Sequence, residues 1–217
     1  MFQRDYFMRM IAQMTEAIGQ VLRLRQEQKH EEALIVIDEL LEKHFRLNGK
    51  LVRSLSEEDL IRLMSKNGIP DTDQLQAVAL LIKQEAILRD EMGMEAESFA
   101  LNVRSLRLFI RLSLMEAEPS IVRPEEQIEE LLEALAPYEL PDSAKRLLME
   151  WHESQGRYDK TEDVMHELLE SGALTAAEAA AAYERLLGMS DERLEAGGLP
   201  RTEIEEALSA LEAINKE

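Results

Sequence analysis

The chain of 217 residues contains no cysteine. Disulfides, a thiolate nucleophile and Cys-based zinc or iron–sulfur ligation are thereby excluded together. Proline and glycine are scarce, at six and nine residues, and there is a single Trp. Most of the prolines and glycines fall where a helix ought to stop, and period-two strand alternation is missing throughout. No stretch approaches the roughly 18 apolar residues needed to cross a membrane. The opening MFQRDYFMRMIAQM is broken by Arg4, Asp5 and Arg9, so it lacks the apolar run of a signal peptide. The phosphate-cradling patterns GxGxxG and GxxxxGK[ST] are absent, as is the GxSxG nucleophile turn. These absences predict a cytoplasmic protein with no cofactor, no bound metal and no catalytic constellation.

Positive charge is the next deficit. The formal net charge is −19, and residues 116–217 carry 9 Lys/Arg against 26 Asp/Glu, while residues 1–115 carry 16 against 18. Phosphate backbones and anionic lipid would be repelled by the C-terminal half, so neither nucleic acid nor a membrane is an expected partner.

What is present is helical periodicity. Apolar residues recur at three- and four-residue spacing in Phe7, Met10, Ile11, Met14, Ala17, Ile18 and Val21, and again in Ala33, Leu34, Ile37, Leu40 and Leu41. About nine or ten helices are predicted, over 3–25, 31–45, a short one in SEEDLIRLMSKNG, 72–91, 95–116, 125–136, 142–155, 158–171, 175–188 and 201–215. Ser56 is the expected N-cap of the short helix with Asp59 in the capping-box position, and Asn67-Gly68 is expected to close it. The connector EAEPSIVRPEE, with its two prolines, marks a soft boundary near 117–124 in an otherwise single elongated domain, 1–217.

Three helix-pair junctions repeat. QEQKHEEALIVIDELL, EMGMEAESFALNVRSL and ESQGRYDKTEDVMHELL align on Ala33, Ala96 and Thr161, 63 and 65 residues apart. A second echo joins LSEEDL…GIPDT to MSDERL…GLPRT. Residues 145–171 resemble a tetratricopeptide repeat: Gly156 stands at the end of helix A, Tyr158 two residues later, and Thr161 where a small residue packs. Leu148 and His152 take inward positions on helix A, Met165 and Leu168 on helix B. Ala33, Ile37 and Leu40 match helix B more loosely, with Gln28 in place of the turn Gly. Around Gly93 the register of small residues slips by about two. The opening MFQRDYFMRMI, followed by such repeats, also resembles an uncharacterised family from low-GC Gram-positive bacteria, which implies a helical-repeat fold in a bacterial cytoplasm and no set activity. The resemblance implies an all-α, tetratricopeptide-like, right-handed superhelical array whose pairs stack to share a core and leave a groove for a peptide or helix.

Candidate sites divide three ways. Trp151, His152 and His166 read as packing where helix A meets helix B, since catalysis would need a partner group that the sequence does not single out. Glu27-x-x-His30 and Asp163-x-x-His166 each put a carboxylate and an imidazole on one helix face, the raw material of a bundle metalloenzyme. In NVRSLRLFIRLSL, Arg104, Arg107 and Arg111 form one narrow basic stripe, able to grip an acidic partner or to pair with the acidic helix EEQIEELLEAL. The expected function is a non-enzymatic scaffold or adaptor binding protein or peptide, with a peptide-sensing regulator and a metal-dependent enzyme as alternatives. Self-association through an end repeat, at Phe2 and Phe7, is a further expectation.

Overall fold

The computed structural model describes the backbone of residues 2–214 and the side chains of residue 8 and residues 11–211. Twelve helices lie among the described residues, so the protein is all-α apart from one two-stranded hairpin. They are α1 (Phe2–Gln26), α2 (His30–Phe45), α3 (Gly49–Ser54), α4 (Glu57–Leu63), α5 (Thr72–Glu91), α6 (Glu95–Leu114), α7 (Pro124–Leu135), α8 (Asp142–Ser154), α9 (Tyr158–Glu170), α10 (Ala176–Leu187), α11 (Asp191–Ala196) and α12 (Arg201–Ile214). The expectation of nine or ten helices is corrected to twelve because α3 and α11 are six-residue elements, too short to show a periodic stripe. The side chains of Phe2, Phe7 and Met10 lie outside the described residues, and so does the end expected to self-associate.

Contacts divide the chain into two compact units, Met1–Glu139 and Leu140–Glu217. In the first unit, α1 packs on α2, α5 on α6, and α6 on α7. The proline-bearing connector expected as a boundary sits inside this unit. Gln76 of α5, fully buried, donates to the Glu118 carbonyl at 2.7 Å and accepts from the Ser120 amide and hydroxyl at 3.1 Å. In the second unit α8 packs on α9, and α10 on α12.

The three aligned junctions have the same backbone hydrogen bonds. Gln28, Gly93 and Gly156 all take positive φ, at 59°, 75° and 71°. Their N–H groups bond to the carbonyls of Arg25, Asp90 and Glu153, and the next residues' N–H groups reach those of Leu24, Arg89 and His152, which closes the preceding helix in a Schellman turn. Five residues after each positive-φ residue comes a buried small side chain: Ala33, Ser98 and Thr161. The middle anchor is therefore Ser98, 3% exposed, and the expected Ala96 is corrected, because Ala96 lies on the exposed side of the first turn of α6.

The second echo also has a structural counterpart. Ser56 and Ser190 cap α4 and α11 through the amides of Asp59 and Arg193, Leu60 and Leu194 are fully buried, and Gly68 and Gly198 take φ of 78° and 77° two residues before Pro70 and Pro200. Asn67-Gly68 does not close a helix as expected. Both residues take positive φ and form the two-residue turn of a hairpin, β1 (Ser65–Lys66) with β2 (Ile69–Pro70), the backbone that Asn-Gly favours between antiparallel strands.

Candidate functional site

The arginine stripe on α6 points at the α3–α4 corner, one rung per turn. Arg104 donates from Nη1 to the Arg53 carbonyl at 3.2 Å and from Nη2 to the Leu55 carbonyl, which leaves the end of α3 capped by a guanidinium. Carbonyls at a helix C-terminus lack intrahelical donors and carry partial negative charge, so a cation suits them twice over. Arg107 pairs with Glu57 at 2.9 Å, and Arg111 with Glu58 at 3.4 Å. These two carboxylates open α4, where the helix dipole favours anions. Hydrogen bonding from its own backbone N–H holds the Glu58 carboxyl below its ordinary value, helped by Arg107 and Arg111 against the cost of burial. Burial pulls the Arg104 guanidinium below its usual value; Glu57 opposes this and Arg107 adds to it. It remains cationic at any neutral pH. The stripe thus meets the end of α3 through Arg104 and the first turn of α4 through Arg107 and Arg111.

A second set of charges fixes α3 from the other side. Arg53 donates from Nε to both carboxylate oxygens of Glu85, at 2.8 and 2.9 Å, and from Nη2 to Asp38 at 2.8 Å. Glu85 is 2% exposed and also meets Arg89 at 3.3 Å. Burial alone would lower Arg53, but Glu85 and Asp38 outweigh it and raise its value. Gly49 is required here by space: a Cβ would sit 2.1 Å from the Asp38 carboxylate oxygen. Helix α3 is therefore tied to α2, α5 and α6 by charge-assisted bonds.

The outer side of this corner is apolar and open. Leu51 is 42% exposed and Leu63 53%. With Leu55, Asp59 and Arg62 they line a groove of about 520 Å³. Leu63 also walls an adjoining cleft of about 260 Å³ that reaches Phe45, Leu47 and Gln74, and Ile69 at the hairpin tip is 72% exposed. In sequence Leu51 carries no signal because α3 is too short to show a periodic stripe, and Leu63, on the predicted short helix, is not marked out because the exposed side of so short a helix has no periodic signature.

In the second unit, Trp151 is fully buried, with the Arg157 guanidinium 4.1 Å over its ring and the His152 ring 5.1 Å away. Leu148 and His152 are buried on α8, and Met165 and Leu168 on α9. Thr161 donates its hydroxyl to the Arg157 carbonyl at 3.0 Å. Tyr158 packs against Gly197, where a Cβ would come within 2.3 Å of the ring. His166 departs from expectation: 58% of its side chain is exposed, with Nε2 3.5 Å from the Tyr183 hydroxyl. That hydroxyl donates to Glu162 at 2.6 Å, and burial, reinforced by Glu162, pushes its ionisation well above the usual range.

The two carboxylate–imidazole pairs look elsewhere than at each other. Glu27 bonds Lys29 at 2.7 Å while His30 faces Glu91 at 3.2 Å, and Asp163 bonds Lys160 at 3.1 Å. Among the described residues no group of three or more His, Asp or Glu is placed to hold a metal ion, and no helix is long and apolar enough to cross a membrane.

Residues 1–216 match the family described as "Family of unknown function (DUF6483)", and the chain belongs to it. No curated protein and no solved structure matches the chain.

Proposed function

For this member of the family, we propose a non-enzymatic role as a protein- or peptide-binding adaptor whose docking surface is the apolar groove of the α3–α4 corner. The observation that carries the reading is the pairing of exposed Leu51 and Leu63 with a backbone fixed by the Arg53, Arg104 and Arg107 contacts. Apolar surface left in water costs about 25 cal/mol per Å², and a rigid apolar rim with polar flanks is the form a peptide-binding groove takes. The partner chemistry is a short segment with one or two large aliphatic anchors and a polar flank to meet Asp59 and Arg62. In this reading Arg104, Arg107 and Arg111 act through the corner they hold rather than by gripping the partner.

The tetratricopeptide-like character of the α1–α2, α5–α6 and α8–α9 hairpins, with the right-handed array such units build, belongs to the same proposal. It rests on the shared turn at Gln28, Gly93 and Gly156. The setting that goes with it is a cytoplasmic one, consistent with the absence of cysteine.

Selection of displayed peptides on the immobilised protein tests the reading. Enriched peptides should carry spaced aliphatic residues and should lose binding by at least about tenfold to both Leu51→Asp and Leu63→Asp, since a buried carboxylate without a partner costs more than 1.4 kcal/mol. No enrichment, or binding that survives both changes, overturns it.

A further inference from the structure

A second cavity, sharing no lining residue with the corner groove, opens among α5, α6 and the end of α7 and encloses about 360 Å³. That is room for about a dozen waters, or a ligand of similar size. One end is polar. Lys83 lines it and is 7% exposed. Its ammonium donates to the Gln127 side-chain carbonyl at 2.8 Å and to Glu130. An ammonium has three donors, so one N–H is left without an acceptor among the described residues. Ser98, 3% exposed, and Asn102 line the same space; Asn102 donates weakly to the Ser98 hydroxyl at 3.4 Å, and neither the hydroxyl proton nor the amide's second N–H has an acceptor among the described residues. The walls are apolar: Ile87 on α5, Leu131 on α7, and the Phe99 and Tyr138 rings tilted together with centroids 5.3 Å apart.

From this geometry we infer that the cavity is a binding site for a small organic carboxylate with an apolar or aromatic body. The carboxylate takes the free N–H of Lys83, and the body lies along Ile87, Leu131 and the Phe99–Tyr138 pair. Charge argues for an anionic head. The buried group is the cation, and a buried cation is stable only when paired. Its present counter-ion, Glu130, comes from a side chain that is 59% exposed, so water screens that pair and the carboxylate has freedom to swing out. Asp90, the other acid of the lining, is exposed and needs no partner. The other polar groups of the lining on α6, the Ser98 hydroxyl and the Asn102 amide, offer O–H and N–H donors, which suits an acceptor-only head. This inference stands apart from the adaptor reading and shares no residue with it.

The test is an NMR titration of the full chain that follows the Phe99 and Tyr138 ring signals and the Leu131 methyls. Three probes of one shape are added, each to about 10 mM: phenylacetate, phenylacetamide and phenethylamine. Phenylacetate should give saturable shifts, and the amide should bind at least about tenfold more weakly, because a charge-assisted bond is replaced by a neutral one. Lys83→Met should abolish the preference for the acid. Ala134→Trp, at an exposed position on the cavity wall, should block all binding without touching the lysine, and it carries the test alone if Lys83→Met does not fold. The inference is overturned if phenylacetate gives no saturable shift, if the amide or the amine binds as well, or if binding survives Ala134→Trp.

Discussion

The α3–α4 corner and the α8–α9 hairpin differ in the weight that charge and apolar burial carry where they meet their surroundings. The corner is held by guanidinium groups: Arg104 on helix-end carbonyls, Arg107 and Arg111 on carboxylates, Arg53 on Glu85 and Asp38. The hairpin has ion pairs too, Arg185 on Glu153 and Lys145 on Glu167, but its centre is sealed by large side chains, with Trp151, Tyr158 and Met165 at 1% exposure or less. Apolar sealing uses up the apolar surface. Charged joints leave the leucines of the corner free to face solvent, which is where an interaction surface can be kept. The price is sensitivity to anything that weakens charge pairs.

Changes at each joint should separate the two. The largest effect is expected for Trp151→Ala, which empties a fully buried site and removes the ring under Arg157. It should destabilise the second unit by about 3–5 kcal/mol in urea unfolding and leave amide protection in α3 and α4 unchanged. Next comes Glu85→Gln, which leaves Arg53 and Arg89 facing a neutral acceptor. A loss of about 2–3 kcal/mol is expected, read as faster amide exchange in α3 with α9 unaffected. Gln28→Gly should go the other way and stabilise the α1–α2 turn by about 1 kcal/mol in thermal unfolding, since Gln28 holds a φ of 59° that costs a side chain and not glycine.

The smallest effect concerns pH and salt. The folded value of Glu58 is depressed, so its contribution is present above the ordinary glutamate value of about 4.5 and is lost as pH falls through the folded value. Protection factors in α4 should therefore fall relative to those in α9 between about pH 5 and pH 3, and in about 1 M salt at neutral pH. Equal losses in both helices would erase the contrast.

The long helices were legible because their stripes repeat over many residues, and the three junctions were legible because glycine or its substitute must sit where φ turns positive. The Ala96 anchor was misplaced by two because small residues at 96 and 98 look alike in sequence. Their burial in the fold separates them, Ser98 being 3% exposed and Ala96 exposed. The basic stripe on α6 was visible, but its counter-charges were not, since Glu57 and Glu58 lie some fifty residues earlier and nothing local connects them. Asn67-Gly68 was read as a helix end because the strands it joins are two residues long and carry no alternation. Leu51 of the groove was invisible for the same reason as α3, a six-residue helix beginning at Gly49 that gives no periodic signal, while Leu63 lay on the predicted short helix, whose exposed side carries no signature.

The central claim is that the α6 arginines hold the corner in place, and hydrogen exchange on Arg107→Ala tests it most directly. The account predicts that protection is lost across residues 49–63, because Glu57 is 6% exposed and loses the cation that Arg107 supplies, while residues 142–170 exchange as in the wild type. Unchanged protection at the corner, or a loss spread evenly over both regions, would contradict it.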